Sequence, residues 1–284
     1  MNKEKVAILV DSGCDIPKEQ IEEYGIKVMP LRVMYPEGDY RDGENIDPLM
    51  VYKRFPDEIP TTSTPTLQEV KDKFEEIKKE GYEKVIAVCI SSGLSGTYNT
   101  VRLAAEAEKD MECFVFDTKN ISFGSGIFAV WAAEKLNEGK DFAWITETMQ
   151  KKVYDAKIFY YMDTLKYLQK GGRIGLVTST VGSLLKLKPI ISCNQDGVYY
   201  TVAKIRGSKL AKKKLLEEVT KACEGNDVWL VIGHGDASEE ADKMEAMIDE
   251  TVKKKRVVFK KQITASMAVH TGPGLVGVLV FQNP

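Results

Sequence analysis

Val6–Val10 is an unbroken apolar run closed by Asp11, and three more runs of the same kind follow it in the first half of the chain. A short strand without an outward polar face is one buried on both sides, which happens where helices cover both faces of a parallel sheet. Lys27–Tyr35, Lys84–Ile90 and Cys113–Asp117 are the other runs, each expected as one strand. Between the second and third, Leu67, Val70, Phe74 and Ile77 recur at helical spacing. Thr66 and Glu69 form a capping box at the start of that helix, and Gly81 ends it. Further helices are expected over Thr97–Lys109 and Gly126–Asn137. Strands alternating with helices predict an α/β fold with a parallel or mostly parallel sheet.

The second half has a different rhythm. Pro189–Asn194 and Val198–Arg206 flank Gln195-Asp196-Gly197, and Asp-Gly is a strong hairpin signal. Amphipathic helices near Lys209–Cys223 and Ser238–Thr251 flank the strand Val228–Gly233. Strand-like Val257–Ile263 and Leu275–Phe281 close the chain. An α+β unit with antiparallel pairing fits. At 284 residues the chain exceeds the ~100–200 of a typical domain, so two are expected: residues 1–158 and 159–284.

Charge and cysteine usage exclude several classes. The net charge is −2, and the basic runs Lys212–Lys214 and Lys253–Arg256 lie beside acidic residues, so no nucleic-acid partner is expected. Five scattered cysteines, Cys14, Cys89, Cys113, Cys193 and Cys223, have no zinc-knuckle spacing and read as buried thiols of a reducing compartment. No apolar stretch approaches the ~20 residues that cross a bilayer, and no signal-peptide pattern opens the chain. A soluble, cytoplasmic protein without stable membrane insertion is expected.

Ligands of α/β sheets collect where strands end and helices begin. Three segments there are rich in hydroxyls and glycine: Asp11–Asp15, with Pro17 placed to open a helix; Thr61-Thr62-Ser63-Thr64-Pro65; and Ser91-Ser92-Gly93-Leu94-Ser95-Gly96-Thr97. Free amides and hydroxyls there suit a small anion, while the plain alternative is three ordinary helix caps. None of the three contains Lys or Arg. A nucleoside triphosphate site recruits a lysine, whereas one carboxylate needs only a few hydrogen bonds.

Other patterns lead nowhere specific. Gly272-Pro273-Gly274-Leu275-Val276-Gly277 matches the dinucleotide fingerprint but runs into a strand. Gly124-Ser125-Gly126 opens a helix too far from the strand end at Asp117. His234 and His270 lack clustered cysteines, so no metal site or cofactor is expected. Each histidine reads either as a structural residue at a strand end or as a catalytic one. Ser95, His270 and Asp11 would supply a hydrolase, although Gly93-Leu94-Ser95-Gly96-Thr97 is not a nucleophile elbow. Lys170-Gly171-Gly172-Arg173 reads either as a capped helix end or as an exposed arginine, away from the hydroxyl segments, for a phosphate or an acidic partner.

Together these strings resemble the DegV family along nearly the whole chain. Asp11-Ser12-x-x-Asp15, Thr62-Ser63-Thr64-Pro65, Ser91–Tyr98 and Asp117-Thr118 through Gly126 come in family order. Leu165–Ile174, Lys188-Pro189-Ile190, Lys204-x-Arg206 and His270-Thr271-Gly272-Pro273-Gly274 continue it. Thr64 departs from the glutamine more usual there. The resemblance implies two α/β domains with a long-chain fatty acid buried between them. It also implies a non-catalytic role: a carrier presenting the carboxylate to a separate fatty acid kinase catalytic subunit, which makes the acyl phosphate. In that picture Thr62, Ser63, Ser95 and Gly96 surround the carboxylate, His270 lies close, and Arg173 meets the kinase. A Ser95/His270 hydrolase or phosphotransferase and a ligand-responsive sensor are the other classes the residues leave open.

Overall fold

A computed structural model describes residues 2–175, 177 and 187–284. The first half runs β1 (Val6–Asp11), α1 (Lys18–Tyr24), β2 (Lys27–Met29), β3 (Arg32–Tyr35), β4 (Gly38–Arg41), α2 (Pro48–Arg54), β5 (Thr61–Ser63), α3 (Leu67–Lys79), β6 (Lys84–Cys89), α4 (Thr97–Ala107), β7 (Glu112–Asp117), α5 (Phe123–Asn137) and α6 (Phe142–Lys151). Its main sheet has the order β2-β1-β6-β7, with every pairing parallel. All six residues of β1 are buried, as an apolar run between two helical layers requires. The Thr66/Glu69 capping box is present in both directions, and Val70, Phe74 and Ile77 face the core.

Two expectations for this half need correcting. Lys27–Tyr35 is not one strand: it divides into β2, in the parallel sheet, and β3, in a separate antiparallel sheet of order β4-β3-β5. Pro30 stands at the break, and without an N–H it cannot extend a ladder. The hydroxyl segment before α3 is not wholly loop, because Thr61–Ser63 forms β5, paired with β3 at Thr62↔Val33 and Ser63↔Arg32.

Helix α5 joins the two halves. From Phe123 to Ala133 every residue is buried, and a helix apolar on all sides belongs in an interior. It packs on β1 and β6 on one side and on β8 (Ala156–Tyr161), β11 (Val228–Gly235) and β13 (Leu275–Gln282) on the other. Gly126 allows the approach: a Cβ there would collide with the backbone carbonyl of Cys14. The glycines of the rejected dinucleotide-like string are thus packing residues.

The second half adds α7 (Lys166–Lys170), β9 (Leu187–Cys193), β10 (Tyr199–Arg206), α8 (Ser208–Cys223), α9 (Ser238–Thr251), β12 (Lys255–Gln262) and α10 (Ala265–Thr271). The sheet order is β10-β9-β8-β13-β11-β12, antiparallel except for β11 with β12, which α9 connects. The β9–β10 hairpin forms as expected, with Gly197 at φ 75° in its turn. Helices α8 and α9 cover the outer face, where Leu215, Val219, Met244 and Ile248 are fully buried. Residue 158 lies inside β8, which pairs with β13 from Ala156 to Tyr161.

Candidate functional site

Strand β5 brings Thr62 and Ser63 to a cavity whose other polar walls come from far along the chain. The loop after β6 contributes Ser95, helix α10 contributes His270, and the turn after α7 contributes Arg173. Leu31, Ile90, Leu94, Ile121, Tyr199 and Met267 supply the apolar wall. The cavity lies at the carboxyl ends of β1 and β6, where the loops of a parallel sheet open. Its volume is about 40 Å³, room for a carboxyl group and not for a long alkyl chain.

His270 is the most constrained of these residues. It lies in a helix, not at a strand end as expected, and every residue of α10 is buried. The Thr62 hydroxyl is 2.7 Å from its Nε2. Its Nδ1 faces Gly171, where any Cβ would collide with the ring, and has no hydrogen-bond partner among the described residues. Burial, reinforced by the Arg173 charge, pushes the imidazole down to about 4, so it is neutral at pH 7. Gly171 is thereby explained: the Lys-Gly-Gly-Arg turn needs a residue without a side chain because the imidazole occupies that space.

Arg173 is not on a turn directed away from the hydroxyl segments. Its Nη1 donates to Gly171 O at 2.7 Å and its Nε to Leu94 O at 3.4 Å. The guanidinium therefore closes the cavity edge between the histidine side and the serine loop. Ser95 Oγ is 2.9 Å from Thr97 Oγ1. Gly96, the N-cap residue of α4, packs near Thr64 and is not part of the cavity wall.

A Ser-His-Asp relay is not assembled among the described residues. His270 bonds Thr62 rather than Ser95, and Asp11 accepts the Ile90 amide at 2.9 Å. His234, at the end of β11, accepts weakly from the Ala237 amide and is no part of this cavity. Among the described residues no His/Cys/Asp/Glu group could hold a metal ion, and no helix is long and apolar enough to cross a membrane. Of the five free cysteines, Cys113 and Cys193 are only partly buried.

Sequence reasoning missed Ser266, Met267 and Tyr199 in the wall. The first two had a legible signal, since Thr264-x-Ser266 opens the helix that carries His270 one turn later. In the Asp11–Asp15 loop, both carboxylates are buried, and none of its residues lines the cavity.

Comparisons with known proteins bear on the sequence and the fold. A family model described as "Uncharacterised protein, DegV family" matches residues 5–283. A DegV domain-containing protein of Clostridium acetobutylicum is 42% identical over 282 residues, 99% of this chain and 100% of the relative. A solved DegV family protein from Thermus thermophilus, described as fatty acid binding, superposes with a TM-score of 0.90 at 27% identity, covering 99% of this chain and 100% of its own. DegV of Bacillus subtilis, also described as a fatty acid binding protein, gives 0.89 at 28% identity, with both chains fully covered. With fold and sequence in agreement over nearly its whole length, the chain belongs to the DegV family.

Proposed function

We propose that this protein is a non-catalytic fatty-acid carrier of the cytoplasm. It takes the carboxylate of a long-chain fatty acid between Thr62, Ser63, Ser95 and His270 and presents it to a separate kinase subunit for acyl phosphate formation. The observation that carries the reading is the Thr62–His270 contact inside a cavity lined by hydroxyls and apolar side chains together. The relatives described as fatty acid binding support the choice of ligand.

The energetics divide between the two ends of such a ligand. A dozen methylenes leaving water contribute on the order of 10 kcal/mol at ~0.8 each, so the alkyl chain supplies affinity and the hydroxyls need only orient the head. The imidazole is neutral and the nearest cation already donates to two carbonyls. A carboxylate held that way keeps more of its nucleophilic character than one locked in a tight ion pair. The alkyl chain needs more room than the cavity offers, so the apolar wall has to part, and the unbranched Met267 side chain is the most adaptable member of it. Arg173, at the cavity edge, is the group we assign to docking the kinase.

Native mass spectrometry of gently purified protein, followed by solvent extraction, tests the ligand. One fatty acid per chain is expected, and folded protein yielding no stoichiometric lipid would defeat the proposal. Acyl phosphate formation should require added kinase; turnover by the carrier alone would instead favour an enzyme.

A further inference from the structure

Asp11, Asp15 and Asp42 are each at most 2% exposed; Asp11 and Asp42 are fastened to the cavity wall, and Asp15 to the residues that open α10 and α5. Asp11 Oδ2 accepts the amide of Ile90 at 2.9 Å. Asp15 accepts the Thr264 amide at 2.7 Å and the Ser122 hydroxyl. Asp42 Oδ2 accepts the hydroxyls of Ser266 at 2.5 Å and Ser12 at 2.8 Å, and Ser12 Oγ accepts the Leu31 amide at 3.0 Å. Ile90, Leu31 and Ser266 are themselves wall residues.

One partly buried lysine, Lys261, faces this group; its Nζ donates to Ile16 O at 2.7 Å and feels the charges of Asp15, Asp42 and Glu19. Three buried carboxylates against one ammonium leave excess negative charge in a poorly solvated place, and a proton is the least costly way to remove it. Asp11 Oδ1 and Asp42 Oδ1 have no hydrogen-bond donor among the described residues. Asp11 Oδ1 also lies close to the wall: a Cβ on Gly13 would sit 2.9 Å from it, 3.1 Å from Leu31 and 3.2 Å from Met267.

We infer that Asp11 gains a proton when an anionic ligand enters the cavity, so that carboxylate binding is linked to proton uptake from solvent. This rests on the proposed ligand being a carboxylate. Desolvation raises Asp11 to about 7 against the lowering pull of the Ile90 and Gly13 amides, with Asp15 and Asp42 raising it further. A new negative charge nearby raises it again. The other titratable groups around Asp11 are the thiols of Cys14 and Cys89, which burial keeps protonated. Arg173 and His270 line the same cavity, the latter held near 4, far below the working range.

Calorimetry with decanoate, kept dilute enough to be monomeric and ionised, tests the linkage at pH 7.5 in phosphate and in Tris. Wild type should take up a few tenths of a proton per ligand, and its affinity should fall several-fold between pH 6.5 and pH 8.5. Asp11→Asn, whose amide stands in for the protonated carboxyl, should bind with little proton exchange and without that fall. Saturable binding with heats independent of the buffer overturns this inference and leaves the carrier reading intact. Uptake that persists in Asp11→Asn places the proton on Asp15, the imidazole or the ligand, which also overturns it. Absence of saturable binding at every pH defeats both. The wild-type buffer series decides the question even if Asp11→Asn does not fold.

Discussion

Thr62 Oγ1 lies 2.7 Å from His270 Nε2 although the two residues are 208 positions apart. With Nδ1 against Gly171 and unpartnered, the neutral ring does best with its proton on Nε2, since a bare acceptor costs less than a buried bare N–H. The imidazole then donates to the threonine oxygen, and the threonine hydrogen is left to point at a ligand. Thr62→Val should therefore weaken fatty acid binding by ~0.5–1.5 kcal/mol for a neutral bond and by more for a charged one. Thr62→Ser should restore most of it. Equal affinities for all three proteins, read by fluorescent fatty acid titration, would remove Thr62 from the head-group site.

Gly171→Ala is expected to be far more damaging than a surface alanine. The new methyl would occupy the space of His270 Nδ1, so ring or turn must move, at a cost of ~1–3 kcal/mol for overpacking. Gly172→Ala serves as the comparison: a Cβ there meets nothing within 4 Å, although its φ of 69° adds backbone strain. Melting temperature and fatty acid affinity should fall together in Gly171→Ala. A variant with normal binding would show that His270 does not need its present position.

The pH dependence of His270 has a definite sign. Its folded value of about 4 is below the ordinary 6.5, so the folded state resists protonation. The stabilisation this brings is fully present above about 6.5 and is lost as pH falls through about 4. Asp15 works the other way: burial raises it to about 6 from 3.8. Its contribution is present below 3.8 and is lost as pH rises through about 6. Denaturant midpoints for wild type and His270→Gln should therefore converge as pH is lowered from 7 to 4. A difference independent of pH would show that the imidazole does not titrate abnormally.

Arg173 makes a split test possible. Its two carbonyl bonds hold the cavity edge together, while its proposed task is to meet the kinase. Arg173→Ala should lower acyl phosphate production with the cognate kinase much more than fatty acid affinity. Arg173→Lys should restore it only in part, because an ammonium lacks the planar donor fork. Equal losses in both assays would assign Arg173 to the ligand site alone.

The sequence by itself determined the parallel sheet, the capped helix and the β9–β10 hairpin, and it picked out Thr62, Ser63 and Ser95, which line the cavity. Each rests on local chemistry: apolar runs such as Val6–Val10, the Thr66/Glu69 capping box, or the positive φ of Gly197 in its turn. Only the tertiary structure decided that Pro30 divides one apolar run between two sheets, because that depends on which neighbouring strand is available for pairing. It alone turned Arg173 toward the cavity and set Gly171 against His270, a contact between a turn and a helix almost 100 positions apart. The same holds for Asp11, Asp15 and Asp42. In sequence they look like loop residues free to meet water, and their burial follows from α5 and α10 packing on the Ser12–Cys14 turn after β1 and from Ser266 of α10 reaching Asp42, which no local pattern encodes.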